Sequence, residues 1–316
     1  MKSVLVVGGA GYLGGAVTDL LLKSKYNVRV YDNLLYEESF RKPVDFIYGD
    51  VRDKKKLLNQ LRWADVVVWL AAIVGDGACQ LNPDLTMAIN RDSVKWLSEN
   101  YDGRIIFMST CSVYGAQNRE LDENSPTNPL SIYASSKLQA ENFLINKNAI
   151  IFRLGTLFGV GDLFSRVRMD LVVNILTVKA ATLGKINVFG GNQFRPLLHV
   201  KDVARMIKMN IETEYTGIYN LKYRNVRIID LAYQVQNHYP NCIIEKTDMP
   251  FQDTRNYRVS SQKAKETFGF STNYSIDTGI EEIKYLINTG RIENVNNTRY
   301  SNYKHLEEQI NRGKNK

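Results

Sequence analysis

The chain of 316 residues carries only three cysteines, Cys79, Cys111 and Cys242, widely spaced and without companions at metal-ligand spacing. An odd, scattered set fits reduced thiols in the cytoplasm rather than a disulfide framework, and no metal site is expected. No apolar run approaches the roughly 18 residues needed to cross a bilayer. The start of the sequence passes directly into a strand-like run, without the charged lead and apolar core of an export signal. A soluble cytoplasmic protein with no membrane partner is therefore expected. Nucleic acid is not an expected partner either. The formal charge is +8, but no basic run interleaves with aromatics, and Lys54, Lys55 and Lys56 read as a solvated helix face. An anionic small molecule accounts better for the positive balance. No internal repeat or low-complexity linker interrupts the chain, and its 44% of hydrophobic residues can fill one large domain or two unequal ones.

What is present begins at residues 4–17, VLVVGGAGYLGGAV, where a β-branched run breaks into five glycines and resumes at helical spacing over residues 12–23. The glycines thus occupy a strand-to-helix turn. Gly8, Gly11 and Gly14 fall three apart, which permits a tight turn, a close backbone approach to a ligand and close packing of helix on sheet. The free N–H groups and positive dipole end of such a helix suit a pyrophosphate. The next strand-like run ends in Asp32, 18 residues beyond Gly14. A carboxylate at about this spacing accepts hydrogen bonds from ribose hydroxyls and repels a 2′-phosphate, which favours NAD over NADP.

Further strand-like runs lie at residues 46–48, 65–71, 104–109 and 149–154, alternating with helical patterns at 84–100 and 132–146. Continuous apolar strands alternating with helices indicate an α/β fold: a doubly wound parallel sheet of the Rossmann type, over residues 1–162. Beyond about residue 160 the alternation loosens into a helix near 169–183, an irregular stretch VFGGNQFRPLLHV and a polar helical end. This half, residues 163–316, reads as a smaller α/β substrate-binding domain, with residues 197–222 returning to the first and 219–221 rejoining its sheet.

Ligands bind such sheets beyond the carboxyl ends of the strands. There the chain reads STCSVYG from Ser109, and YASSK places Tyr133 and Lys137 four apart on one face of a helix starting near Ser131. A neighbouring ammonium and an oxidised nicotinamide favour the phenolate, so the phenol could accept a proton near neutrality.

With these residues in place, the sequence resembles the extended short-chain dehydrogenase/reductase family, specifically its NAD-dependent nucleotide-sugar epimerases and dehydratases. GGAGYLG, Asp32, GDVRD (49–53), LAA (70–72), STCSVYG, YASSK, FRLGTLFG and HVKDVA (199–204) carry the resemblance over nearly the whole chain. It implies a catalytic set of Thr110, Tyr133 and Lys137. The cofactor would be held by Gly8, Gly11, Tyr12, Leu13, Gly14, Asp32, Asn33, Asp50, Val51, Leu70, Ala71, Ala72 and Ser109, besides Tyr133 and Lys137. It also implies a nucleotide-diphosphate sugar as substrate, met by Thr110, Thr156, Asn174, Arg195 and Arg255. Two departures bear on the pocket: Thr156 stands where many relatives carry asparagine, and Pro196 follows Arg195 where an acid is common. Dehydratases of the family carry Asp-Glu after the threonine, whereas this chain has Cys111 and Ser112, which argues against 4,6-dehydration. The implied reaction is oxidation and return of hydride at C4 of the sugar, as in a 4-epimerase. A net C4 dehydrogenase or 4-ketoreductase is the alternative, since FRLGTLFG, RMDLVVN and DTRNYRVS look closest to a subgroup that includes GDP-heptose 4-dehydrogenases. A non-catalytic cofactor-sensing or RNA-binding protein on the same fold is the reading from another class. The resemblance further implies a homodimer, with the helices near 84–100 and 132–146 pairing across a two-fold axis.

Overall fold

The computed structural model describes residues 1–162, 166–247 and 256–314. The apolar run SVLVV forms β1 (Ser3–Val7), buried from its second residue on, and the glycine turn leads into α1 (Tyr12–Leu22). β2 (Asn27–Asp32) and β3 (Asp45–Tyr48) follow, then α2 (Lys54–Trp63) and β4 (Val66–Trp69). In α2 the Asp53 carboxylate caps the first turn by accepting from Lys56 N at 3.0 Å, Leu57 and Leu61 face the sheet, and Lys54, Lys55 and Lys56 are exposed. α3 (Asp76–Leu81) was not apparent in the sequence pattern.

The single helix expected over 84–100 is α4 (Pro83–Met87) and α5 (Ser93–Asn100) joined through one turn of π-helix, Ala88–Asp92. Such a turn interrupts regular side-chain spacing and is often found beside functional sites. β5 (Arg104–Thr110) is buried along its full length. It is followed by a 3₁₀ turn at Cys111–Tyr114, β6 (Glu120–Leu121), α6 (Ile132–Leu144), β7 (Ala149–Leu154) and β8 (Thr156–Phe158). Ser131 caps α6 by accepting from Ala134 N at 3.1 Å.

The second half holds α7 (Val172–Leu183), β9 (Lys185–Phe189), β10 (Phe194–His199), α8 (Val200–Met209), β11 (Gly217–Leu221), β12 (Arg224–Arg227), α9 (Ile228–His238), β13 (Ile243–Thr247), β14 (Arg258–Val259), α10 (Gln262–Phe268), α11 (Ile276–Asn288) and α12 (Asn302–Lys314). The stretch expected to be irregular contains β10, whose last three residues pair with β8 and whose first four pair with β12. Pro196 lies opposite Asn225 of β12 and before the pairing of β10 with β8 begins at Leu197, so one side of the strand is unpaired there, as at a sheet edge.

The seven-stranded main sheet has the order β11-β7-β5-β4-β1-β2-β3, and every pairing is parallel. The chain therefore winds outward from β1 in one direction and then, from β4, in the other. The crevice at that reversal, at the carboxyl ends of β1 and β4, is where doubly wound sheets bind ligands. Of residues 197–222, α8 packs on α1 and β11 lies beside β7, whereas 197–199 belong to the three-stranded sheet.

The angle of α6 against the sheet is fixed by a buried ion pair. Arg153 of β7 donates through Nε to Glu141 Oε1 at 3.0 Å and through Nη2 to Oε2 at 2.7 Å, while the Ser109 hydroxyl donates to the same carboxylate. Arg153 Nη1 also donates to the Tyr114 hydroxyl at 2.9 Å, which lies 2.9 Å from Asn220 Oδ1 on β11. With both charged groups satisfied, the pair is tolerated; removing one leaves the other buried and uncompensated. Glu141→Gln is expected to lower unfolding stability by about 3–5 kcal/mol, measured by urea denaturation.

Candidate active site

The glycine turn is shaped first by the protein itself. Gly8 has φ +85°, and a Cβ there would sit 2.4 Å from the backbone N of Ala71; one on Gly14 would sit 2.6 Å from Gly8 O. Neither position admits a side chain. At Gly11 the nearest atom to such a Cβ is Gly8 O at 3.4 Å, an ordinary contact. The protein does not need glycine there, so the bare Cα leaves room for a ligand. No side chain caps α1 and no acid occupies its first turn, which leaves the positive helix end available to an anion.

These glycines border a cavity of about 690 Å³ running along the carboxyl ends of the strands. Gly8, Gly11, Tyr12, Leu13 and Gly14 form one wall, with Asp32, Asn33 and Val51 toward one end and Leu70, Ala71 and Ala72 between. Asp32 is held as an acceptor: Oδ2 takes Ala10 N at 3.0 Å and Oδ1 takes Leu34 N at 2.7 Å. Burial raises its carboxyl above the usual range, and these backbone donors pull it back. Asp50 does not line the cavity. Its oxygens take the Arg52 guanidinium at 2.9 Å and Asn33 Nδ2 at 3.1 Å, so it braces Asn33.

Ser109, Thr110, Ser112, Tyr133 and Lys137 line the cavity together, brought there by the end of β5 and the first turns of α6. Burial pushes the Tyr133 phenol well above its ordinary value, and the Thr110 hydroxyl pulls it back. Lys137 is buried, donates through Nζ to Met108 O at 2.9 Å and lies 4.8 Å from the centre of the Phe107 ring. Its desolvation lowers it to about 8. The anticipated depression of the phenol is thus outweighed by burial. The Ser109 side chain is committed to Glu141.

Cys111 is fully buried, its thiol donating to Arg153 O at 3.2 Å and pushed up by burial, so it stays neutral. Ser112 Oγ lies 3.3 Å from the hydroxyl of Tyr257, another cavity residue. At the far end are Thr156 and Arg195, whose Nη1 donates to Phe194 O at 2.9 Å. Asn174 is not on the wall. Its amide brackets backbone instead, accepting from Gly159 N at 3.0 Å and donating to Arg168 O at 2.7 Å. Arg255 lies outside the described residues.

Some residues of the site were not anticipated. Asn90, in the π-helical turn, accepts from Ile73 N and donates to Ile73 O, both at 2.9 Å, and donates to Ser136 Oγ at 3.2 Å. It ties the wall after β4 to α6, and no helical periodicity announces it. Arg166, Arg168 and Asp170 also line the cavity, together with Ser301, Asn302 and Tyr303 from the C-terminal segment. Among the described residues no cluster of His, Cys, Asp or Glu could hold a metal, and no helix is long and apolar enough to cross a membrane.

A family model described as the NAD dependent epimerase/dehydratase family matches residues 4–221. The N-acetyl-α-D-glucosaminyl-diphospho-ditrans,octacis-undecaprenol 4-epimerase of Escherichia coli O157:H7 is 26% identical over 301 residues, covering 92% of this chain and 84% of that protein. The UDP-glucose 4-epimerase of Corynebacterium glutamicum is 25% identical over 306 residues, covering 86% of this chain and 91% of that protein. Among solved structures, the UDP-glucose 4-epimerase of Thermotoga maritima with UDP-glucose superposes with a TM-score of 0.79 at 22% identity, over 91% of this chain and 99% of that one. The Thermus thermophilus UDP-glucose 4-epimerase complex with NAD gives 0.77 at 21% identity, over 89% and 99%.

Because Lys137 is depressed by burial, the unfolded chain binds more protons between the two pKa values, and stability rises with pH across that interval. Relative to Lys137→Met, the wild-type protein is expected to gain thermal stability as the pH rises from about 8 to about 10.4, measured as the difference between their unfolding midpoints.

Proposed function

The chain belongs to the NAD dependent epimerase/dehydratase family, and from that premise we propose that it acts at C4 of a nucleotide-diphosphate sugar through a 4-keto sugar and returns the hydride, as a 4-epimerase. The observation that supports this most directly is the convergence of Thr110, Tyr133 and Lys137 on the cavity that also holds the glycine turn and Asp32.

NAD fits the residues present: Gly11 leaves space where the protein requires none, the start of α1 is uncapped, and Asp32 offers carboxylate oxygens on the wall. When bound, NAD supplies the hydride acceptor and a positive ring. Tyr133 takes the proton of the sugar C4 hydroxyl as general base. Thr110, whose hydroxyl lowers the pKa of that phenol, orients the sugar hydroxyl and favours the phenolate. Lys137, charged at neutral pH and fixed to Met108 O, holds the nicotinamide ribose and favours the phenolate through its charge. Thr110 and Lys137 are buried and Tyr133 is partly buried, a setting that limits water around the 4-keto sugar until it is reduced on its other face.

The positions after Thr110 support epimerisation over dehydration. Loss of water requires an acid and a base there, whereas Cys111 is sealed from the cavity with a neutral thiol and Ser112 offers only a hydroxyl, placed against that of Tyr257. Toward the other end, Arg195 and Thr156 suit the diphosphate and the sugar. In the proposed homodimer α4, α5 and α6 pair across a two-fold axis, and the proposed location of the enzyme is the cytoplasm.

Tyr133→Phe is expected to abolish turnover of UDP-, GDP-, dTDP- or CDP-sugars while NAD stays bound, followed by C4 stereochemistry in NMR and by NADH absorbance. Undiminished turnover would remove Tyr133 from the mechanism, and net NADH accumulation by the wild type would show a dehydrogenase instead. Light scattering is expected to give twice the chain mass; a monomer would overturn the dimer.

A further inference from the structure

We propose that Arg166 and Arg168 grip the diphosphate bridge of the bound dinucleotide from the side opposite the glycine turn, so that the cofactor is clamped rather than cradled. This rests on the reading that the cavity takes NAD, and it goes beyond that reading by assigning a second, cationic half to the diphosphate site.

The two arginines stand two residues apart in a non-helical segment, and both line the cavity. The Arg166 guanidinium lies 4.1 Å from the centre of the Tyr36 ring, four residues beyond Asp32. Arg168 is the first charge felt by the phenol of Tyr12, which opens α1, and its charge also reaches Tyr36 and Tyr133. The pair therefore spans the stretch between the expected adenosine ribose at Asp32 and the expected nicotinamide ribose at Tyr133 and Lys137. In a dinucleotide, the anionic diphosphate lies between the two riboses.

The hydrogen bonds leave Arg168 able to take an anion. Its Nε and Nη2 donate to Asp170 Oδ1 and Oδ2 at 2.9 and 3.1 Å, and Nη1 makes no hydrogen bond to any described residue. Arg166 is fixed behind it, donating through Nη1 to Asn302 Oδ1 and through Nε and Nη2 to Arg299 O at 3.2 and 3.0 Å. Arg166 and Arg168, with Arg299 beside them, face the carboxylates of Asp170 and Glu37, so the group keeps an excess of positive charge in a low-dielectric wall, an arrangement that costs stability unless an anion joins it. The Tyr36 hydroxyl beside them is buried with no partner among the described residues.

The clamp is also anchored across the cavity. Asn302, the first residue of α12, donates through its backbone N to Asp170 Oδ2 at 2.9 Å and through Nδ2 to Val74 O at 2.8 Å. Residues 166–170 and the start of α12 thus form a strap tied to the cofactor side of the cavity, and dissociation of the dinucleotide requires that strap to loosen.

The test measures dissociation of NADH from the full-length enzyme without sugar, by fluorescence after mixing with excess NAD, and the affinity of UDP, GDP, dTDP and CDP by calorimetry. Arg168→Ala is expected to speed NADH release roughly tenfold or more, the loss of a charge-assisted hydrogen bond. Arg168→Lys should restore part of the retention, and Asn302→Ala, which removes the tie to Val74 O, should speed release as well. Affinity for whichever nucleoside diphosphate binds the wild type should not change. Unchanged NADH release in an Arg168→Ala protein with wild-type melting would overturn the proposal. So would a loss confined to nucleoside diphosphate affinity, which would assign the arginine to the substrate. Should Arg168→Ala fail to fold, Arg168→Lys and Asn302→Ala decide by the same criteria. Because no sugar is present and Tyr133 is intact, failure of the C4 chemistry leaves this result unaffected.

Discussion

The approach of Gly8 to Ala71 is the contact on which the site depends. β1 and β4 are neighbours in the sheet, and the two chains leaving their carboxyl ends must diverge to opposite sides of it. With a positive φ and no room for a Cβ, Gly8 turns the first chain away while its backbone stays against the second. The space opened by that divergence becomes the cavity. Asp32 on one flank and Thr110 on the other are carried there by strands in register with β1 and β4. A larger residue at position 8 would therefore disturb the site and the sheet together.

Around this opening the protein handles buried cations in two ways. Arg153 is matched by Glu141 and has its remaining donors satisfied by Tyr114, so it serves to hold α6 in place. Lys137, one turn up the same helix, faces no carboxylate at hydrogen-bond distance among the described residues and carries the cost of desolvation. The first arrangement makes the second possible: a helix pinned by a satisfied ion pair can present an unsatisfied cation to a cavity without shifting to hydrate it. The elevated phenol of Tyr133 follows from the same burial. Desolvation pushes the Tyr133 phenol up and the Lys137 ammonium down, and a positive ring in the pocket would favour the phenolate that the proposed chemistry needs.

The parallel sheet was legible because its strands are short continuous apolar runs separated by helices, and its register follows from burial on both faces. The glycine turn, Asp32, Tyr133 and Lys137 were legible because each sits at a fixed offset from a strand or helix end. Legibility failed where an irregular backbone or a long-range contact decides the outcome. Asn90 braces Ile73 of the cavity wall from a π-helical turn, which a 3.6-residue pattern does not register. β10 escaped notice because its short sheet is held by pairing with distant β8 and β12, and Pro196 within it reads as a strand breaker. Asn174 and Asp50 lie close to the cavity in sequence and space, but their side chains are taken up by Gly159, Arg168, Asn33 and Arg52, a choice set by local geometry rather than by residue type.

The C-terminal segment bears on the choice between redox-neutral and net redox chemistry. α12 packs on α3, which follows the β4 crevice, and Asn302 joins the arginine segment to Val74. His305 rests against Tyr36 with ring centres 5.5 Å apart and binds Leu35 O at 3.0 Å, so the loop beyond Asp32 is fastened to the same helix. A net dehydrogenase must release its reduced cofactor at every turnover, and a wall tied at three points opposes that release. An enzyme that returns the hydride within one turnover has no such need, and for it a closed wall is an advantage because it keeps water from the keto sugar. The packing of the last helix thus favours the epimerase reading on grounds independent of the residues that perform the proton transfer.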